Sequence, residues 1–459
     1  MGRKKLLLCL ILGVLSMIML FSGCTDVPTN PPTEKPSDTP PVTPPDDDTV
    51  NPDEGSADDK DAANQDPTLS SVVMNVGEDH RERNLTWYSQ NNAAAEVRYA
   101  KSKNGKLPST YSTASASSQI ASKEGYYSYK ATLTGLKANS TYVYCIVIGD
   151  TVSPCYSFDV YGTDGGFSFA FVTDAQTRKE SQGKKWDDTL SQIKTKFDGV
   201  SFLVSGGDQT SDPTSEDDYG YFISDHLATL AIATTVGPPH DNAVLYGEHF
   251  NLPNLSQRYG VGDTSSDYFY TYGDVLFMHL NVESREYDGH VEFLRKTIAA
   301  NDDCIWRVVV LHYSFFTGSK NSTSDRVLEF RSALADDFCR LGVDLVLSGH
   351  DHIYSRSKLM LDGMTPSDDA VIDSTAVDPI GTLYLCGTPS AGGNYYDVIQ
   401  HDDDPYIAYR SEEKDRNRKS VVIFDVSENA LTLKAYFIDG TDPELFDSFT
   451  INKSAESEQ

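Results

Sequence analysis

The sequence predicts two folded units in series: an all-β sandwich over residues 69–161 and an α/β unit over residues 165–440. Two patterns separate them. From Leu69 to Tyr161 short segments alternate apolar and polar residues between polar turns, the period of half-buried strands. After Gly165 strand-like apolar runs alternate with amphipathic helical stretches, the order of an α/β domain. A chain of 459 residues is too long for one ordinary domain, which agrees with the division. With 23% charged and 39% hydrophobic residues the composition is globular. A net charge of −30 argues against nucleic acid as a partner.

Residues 1–23 read as an export signal. Arg3, Lys4 and Lys5 form a basic start, Leu6 to Phe21 an apolar run, and Ser22-Gly23 a small pair before Cys24. The sixteen residues of that run are short for a bilayer span, and small residues directly before a cysteine resemble a bacterial lipoprotein signal. Lipid on Cys24 would hold the mature chain on the extracytoplasmic face of the cell membrane. Residues 24–68 are rich in Pro, Thr and Asp, with twelve acidic residues against two lysines between Thr25 and Thr68. Such a segment buries too little apolar surface to offset the entropy of ordering and is expected to be a disordered spacer.

In the sandwich, Leu85 and Trp87 alternate with Asn84, Thr86 and Tyr88, and Tyr142, Tyr144 and Ile146 share one face of a strand. Cys145 and Cys155 flank a Gly149-Asp150 turn at positions that can face each other across a hairpin, so an exported chain is expected to join them. Cys304, Cys339 and Cys386 lie among apolar residues and are expected to be buried free thiols. Trp87 and the Leu136–Tyr142 turn into a strand resemble a fibronectin type III-like sandwich, and more closely the N-terminal module of the purple acid phosphatase family. No cluster of catalytic residue types occurs there, so its expected role is spacing or framing the substrate.

The α/β unit carries the chemistry. Five apolar runs each end in a potential metal ligand or proton carrier: Phe167–Val172 before Asp174, Ser201–Val204 before Asp208, Leu230–Val236 before His240-Asp241, Trp306–Leu311 before His312, and Val343–Leu347 before His350-Asp351-His352. The carboxyl ends of strands are where open α/β sheets place their sites. One aspartate after a strand is usually a turn or a helix cap, but five such endings in succession point to one shared site. A helix is expected before the last run, with Ser324 as its cap, Val327, Phe330, Leu334, Phe338 and Leu341 on one face, and Gly342 as its stop.

With Gly207-Asp208 and Gly349-His350-Asp351-His352 in place, residues 167–440 resemble the calcineurin-like metallophosphoesterase family in its purple acid phosphatase branch. The resemblance implies a four-layer α/β/β/α metallophosphatase sandwich. It also implies a dinuclear centre of divalent or trivalent ions (Fe, Mn or Zn) in which Asp208 bridges, Asp174 and His352 hold the first ion, and His312 and His350 hold the second. His240 and Asp241 are the catalytic candidates, His240 being placed over the substrate phosphate; histidine is the side chain that exchanges protons near neutral pH. Carboxylates and imidazoles without thiolates suit catalytic rather than structural metal. The reading is a phosphomonoesterase or phosphodiesterase acting on a small-molecule phosphoester through metal-bound hydroxide.

Three positions depart from the family pattern. Gly237-Pro238-Pro239-His240 stands where Gly-Asn-His is usual, so an Asn ligand of the second ion is replaced by Pro239. Ser211 occupies the place of the tyrosine that colours purple phosphatases. Gln176 stands where relatives with Asp-x-His have a histidine, and offers at most a neutral oxygen. These departures define an alternative, a metal-weakened pseudoenzyme serving as a surface binding module. His80, His226, His249, His279, His290 and His401 lack matching spacing and are expected in core or surface roles, with His249, in Glu248-His249-Phe250-Asn251-Leu252-Pro253, the one also weighed for a place near the site. Gly392–Tyr396 is either a loop lining the pocket or an ordinary turn, and residues 441–459 are expected to be a tail.

Overall fold

The computed structural model describes residues 65–399 and 402–454. The signal segment, Cys24, the spacer up to residue 64, His401 and residues 455–459 lie outside them. The spacer expected over 24–68 ends earlier than that. Asp66 Oδ1 accepts from the Thr68 N–H (2.8 Å) and hydroxyl (2.7 Å), a local turn that competes well with disorder, and Asp66 Oδ2 takes the Ser89 hydroxyl.

The N-terminal region is all β. One sheet orders Ser117–Ile120, Tyr127–Leu133, Arg83–Ser89 and Ser70–Val76; the other orders Ser112–Ser115, Ala95–Lys101, Ser140–Ile148 and Thr151–Val152, with Tyr156–Val160 also paired to Ser140–Ile148. Their inner faces bury Leu85, Trp87, Val97, Tyr144 and Ile146, and Trp87 stacks on Tyr129 with ring centroids 5.4 Å apart. Cys145 and Cys155 form a disulfide across ten residues. Cys304 and Cys386 are buried free thiols, while Cys339, expected to be buried, is half-exposed near the end of its helix.

The α/β region has four layers, and the period of its strands explains them. In the second sheet Val275, Phe277, Val308, Val310, Leu345 and Leu347 face the first sheet, while the intervening Leu276, Met278, Val309 and Val346 face helices Tyr287–Ala300 and Asp325–Arg340. Edge-to-face rings seal the sheets together: Phe277 meets Phe169 at 5.2 Å and Phe202 at 5.5 Å. On the outer face of the first sheet, helix Glu180–Lys196 buries Trp186, Leu190 and Ile193. Helix Asp325–Arg340 starts as expected, with the Ser324 hydroxyl accepting from the Val327 N–H, and buries Val327, Phe330, Leu334 and Phe338.

Two features were not expected. The sandwich is not a separate bead, because strand Ser70–Val76 pairs in parallel with Ile232–Ala233, so that one twelve-stranded sheet runs through both regions. Asn75 clasps the join: its Nδ2 donates to the Ile232 carbonyl (2.9 Å) and its Oδ1 accepts from the Asn251 N–H (2.8 Å). The expected tail over 441–459 contains strand Glu444–Asn452, paired along its length with Ala430–Phe437. Its buried face begins with Asp447, which takes two donors from Arg356 (2.8 and 2.9 Å) and one from Tyr354 (2.7 Å), so a charge disguised the strand pattern.

Candidate metal centre

The parallel strands Phe167–Val172, Val200–Ser205 and Ile232–Ala233 of the first sheet, and Trp306–Val310 and Leu345–Ser348 of the second, end in loops that meet. Backbone bonds lock those loops together, among them Asp174 N–H to the Gly207 carbonyl (3.0 Å) and Gly349 N–H to the His312 carbonyl (3.0 Å). Asp174, Gln176, Asp208, His350 and His352 all hold positive φ, between 40° and 71°. Left-handed backbone at non-glycine residues is costly and gathers where a function over-determines the geometry. The approach is also close. A Cβ on Gly237 would fall 2.2 Å from Asp208 Oδ1, and one on Gly349 would fall 2.3 Å from Asp174 Oδ2, so neither position admits a side chain.

Asp174, Asp208 and His312 are buried, and each offers one donor atom within 4.8 Å of the others. His312 Nε2 lies 3.2 Å from Asp208 Oδ1, and His352 Nε2 lies 3.1 Å from Asp174 Oδ1. The His350 ring centroid is 5.0 Å from that of His312. The two buried imidazoles are held by their other nitrogens: His312 Nδ1–H donates to the Gly206 carbonyl (2.9 Å) and His352 Nδ1–H to the Asn394 carbonyl (2.5 Å). That fixes the tautomer of His312 and leaves its Nε2 as a lone-pair donor beside Asp208, the arrangement metal-binding histidines adopt. Burial lowers His352, but the Asp174 charge and hydrogen bond outweigh it, so its Nε2 carries toward Asp174 a proton that a metal would displace. Asp208 Oδ1 and His312 Nε2 have no hydrogen-bond partner although both are buried. Unpaired buried acceptors are costly, and a cation satisfies both, so these residues fit a metal.

The electrostatics agree. Burial first, then the neighbouring Asp174 and Asp241 charges, push the Asp208 carboxyl well up. Burial opposes ionisation of Asp174 too, but the charge and hydrogen bond of His352 outweigh it and hold that carboxyl down at about 2. Burial, reinforced in His350 by the neighbouring His312, pushes the His312 and His350 imidazoles down and keeps them neutral, the form that binds metal.

The remaining expected residues divide. His240 is half-buried; its Nδ1–H donates to the Ser211 carbonyl (2.8 Å), which leaves Nε2 free to act. Asp241, expected beside it as a catalytic group, turns the other way. Its Oδ2 accepts from the N–H of Asp208 (2.7 Å) and of Gly237 (2.9 Å), and its Oδ1 from the Gln209 N–H (3.0 Å). With no exposure, and its carboxyl pushed by burial up to about 7 against those amides, Asp241 latches the Asp208 loop to Gly237. Gln176 does not offer its oxygen inward: Nε2 donates to Asp208 Oδ2 (2.7 Å) and Oε1 accepts from Asn394 Nδ2 (3.1 Å). The Pro238–Pro239 bond is cis, and Asn242, the next amide along the chain, has a buried Oδ1 without a hydrogen-bond partner.

The Gly392–Tyr396 segment is a site loop and not an ordinary turn. Besides the two Asn394 bonds, the Tyr396 ring lies flat on His352, centroids 4.2 Å apart at 4°, and Lys320 Nζ caps Tyr396 from 3.6 Å. Only the glycine pair hinted at this in the sequence. His279 is the strand core residue expected, bonded through Nδ1 to the Thr235 hydroxyl (2.8 Å). His249 lies in the seam between the two regions, stacked on Tyr219 (4.5 Å) and tilted against Tyr88 (4.7 Å).

The sequence profile of calcineurin-like phosphoesterases matches residues 125–354. The chain belongs to that family. Membership makes it a metal-dependent phosphoester hydrolase, in keeping with the carboxylate–imidazole cluster. The profile of the purple acid phosphatase N-terminal domain matches residues 69–160. Among solved structures, purple acid phosphatase PPD1 from yellow lupin (Lupinus luteus) seeds superposes with a TM-score of 0.68 at 14% identity, over 84% of this chain and 74% of that one. PhoD superposes with a TM-score of 0.56 at 15% identity, over 83% and 89%. At such identities the likeness speaks for the fold, an all-β region followed by a four-layer α/β domain. No curated protein sequence matches the chain.

Proposed function

We propose that the chain is an extracytoplasmic phosphomonoesterase or phosphodiesterase that works through two metal ions. The observation that carries this reading is the pair of buried, unpartnered atoms, Asp208 Oδ1 and His312 Nε2, facing each other at 3.2 Å beside Asp174 and His352. Asp174, Asp208 and His352 would hold the first ion, and Asp208, His312 and His350 the second. Fe, Mn or Zn suits such carboxylate and neutral imidazole donors. When bound, the ions supply Lewis acidity toward the phosphoryl oxygen and acidify a water.

The chain's own residues do the rest. Asp208 stands between the two halves and is kept there by the Asp241 latch and the Gln176 amide. With Nδ1–H of His240 spent on the Ser211 carbonyl, Nε2 is the atom that, once it has taken up a proton to give the imidazolium, passes that proton to the departing alkoxide. The likeness to a purple acid phosphatase and to PhoD supports phosphoester substrates. Among the described residues no helix is long and apolar enough to cross a membrane; the reading at the membrane rests on the order of basic, apolar and small residues before Cys24.

A second reading has one observation in its favour, Pro239 at the place of an expected Asn ligand: a pseudoenzyme used for surface binding. One experiment separates them. Full-length protein stripped with a chelator is screened against phosphomonoesters and phosphodiesters with Mn²⁺, Fe²⁺ or Zn²⁺ restored. Hydrolysis that returns with metal and is lost in His350→Ala supports the enzyme. Folded protein that hydrolyses nothing across the screen, whatever metal is restored, supports the pseudoenzyme. For the anchor, Cys24→Ala should abolish acyl labelling of the mature chain.

A further inference from the structure

We propose that Asn394 is a positioning residue for the first metal position, acting on both halves of it at once. The inference rests on the two-metal reading above and assigns a role in it to a loop outside the ligand motifs.

Two contacts leave Asn394 for the site. Its backbone carbonyl receives His352 Nδ1–H (2.5 Å), which turns Nε2 toward Asp174. Its side-chain Nδ2 donates to Gln176 Oε1 (3.1 Å), and Gln176 Nε2 in turn donates to Asp208 Oδ2 (2.7 Å). The direction of that relay is dictated at its far end. A carboxylate only accepts, so Gln176 must present its NH₂ to Asp208, and its oxygen must then face a donor. Asn394 is that donor. Gln176, in the place where relatives carry a histidine ligand, therefore turns its oxygen to Asn394 and its NH₂ to the carboxylate, and does not present that oxygen to a metal. It acts instead on the carboxylate both ions share, leaving Asp208 Oδ1 as the unpartnered oxygen beside His312.

The backbone is built for this. Gly392, Gly393 and Asn394 take φ values of 64°, 138° and 51° in succession. Asn is among the few side chains that tolerate the left-handed region, so position 394 combines a required backbone shape with a required amide. Tyr396, flat on His352 two residues later, closes the loop over the ring whose nitrogen Asn394 holds. Partners of this kind, one bond removed from the metal, govern the orientation and basicity of its ligands.

The test uses Asn394→Gly in the full-length protein, since Gly keeps the left-handed backbone and the carbonyl to His352 and deletes only the donor to Gln176. Chelator-stripped protein is titrated with Mn²⁺ by calorimetry, beside Gln176→Ala, the double variant and His352→Ala. Asn394→Gly should weaken the tighter of the two Mn²⁺ sites, which is the first because the second lacks an Asn ligand at Pro239, about 10–100-fold, and should add nothing in the Gln176→Ala background. Asn394→Asp, equally at home in the left-handed region but with an acceptor facing Gln176, should weaken it as well, and serves if the glycine variant fails to fold. An unchanged Mn²⁺ affinity, even with a lower melting temperature of the metal-free protein, overturns the proposal. So does a loss that adds in full to that of Gln176→Ala. If His352→Ala keeps the parent's tight site, the two-metal reading itself has failed, a result separate from either of those.

Discussion

His312 Nε2 lies 3.2 Å from Asp208 Oδ1 in a buried site where neither atom has a hydrogen-bond partner. Two polar atoms in that state are a cost to the fold unless a cation lies between them. Metal should therefore stabilise the protein as well as activate it. At a free Mn²⁺ concentration about 100 times its dissociation constant, linkage adds about 2.7 kcal/mol. Thermal unfolding with chelator and then with excess Mn²⁺ should show a clear rise in melting temperature, reduced in His312→Ala. Identical curves for the parent in both conditions would count against a metal at this pair.

His240 and Asp241 are chain neighbours whose side chains face opposite ways, and their variants should part accordingly. His240→Ala removes a half-exposed ring held by one backbone carbonyl. It should leave metal content and melting temperature near the parent's and slow turnover of poor leaving groups by about 10²–10⁴-fold. Asp241→Asn places an amide NH₂ against backbone N–H groups that now donate to a carboxylate. It should destabilise by about 1–3 kcal/mol and lower metal affinity through the displaced Asp208 loop. Denaturant midpoints and metal content of the two variants check this; an Asp241→Asn protein as stable and metal-loaded as the parent would restore a catalytic reading.

These two residues also mark the limit of what the sequence tells. Ligand types after apolar runs were legible because strand and loop are local: Val172 and Asp174, or Leu347 and His350, are separated by a few residues of one pattern. What lay beyond was orientation. Nothing in His240-Asp241 says that one side chain faces outward and the next turns back to three amides. Long-range pairing was also hidden. Gln176 and Asn394 meet across 218 residues, and Asn75 joins Ile232 across 157, with no periodicity to announce either. Strand Glu444–Asn452 escaped because its inward face opens on a charged residue, Asp447, whose partner Arg356 lies 91 residues away.

Glu248 makes the seam between sandwich and phosphoesterase testable. Its carboxylate accepts the Tyr88 hydroxyl (2.6 Å), the Ser122 N–H (2.9 and 3.0 Å to its two oxygens) and the Ser122 hydroxyl (2.8 Å), while its carbonyl takes the Ser128 hydroxyl (2.9 Å). With the sheet continuous through Asn75 and Ile232, the two regions should unfold in one calorimetric transition. Glu248→Ala takes the short bond from the buried Tyr88 hydroxyl, leaving it only the 3.1 Å contact to Glu216, and unties the exposed Ser122, at about 1–3 kcal/mol. Its melting temperature should fall, or the single transition should split in two. An unshifted single transition would mean the seam is held by the strand pairing alone.

His290 and Asp267 give the fold a pH-dependent term remote from the metal. His290 Nδ1 lies 2.7 Å from Asp267 Oδ2, both fully buried; Asp267 Oδ1 accepts the Asn281 N–H (2.9 Å), and the Ser284 carbonyl lies 3.3 Å from His290 Nε2. Burial disfavours the imidazolium, but the hydrogen bond and charge of Asp267, with smaller help from the Ser284 carbonyl and Glu286, outweigh it and raise the histidine above its ordinary 6.5. A group with a raised folded pKa binds its proton more tightly in the native state. Its contribution is fully present below the unfolded value and is lost as pH rises through the folded one. His290→Gln should therefore cost most below the ordinary histidine value of about 6.5 and progressively less as pH rises above it through the raised folded value. Urea midpoints of parent and variant across that range should converge as pH rises, not diverge. They should still not meet, because the neutral ring keeps its Nδ1–H on Asp267 after the charge is gone.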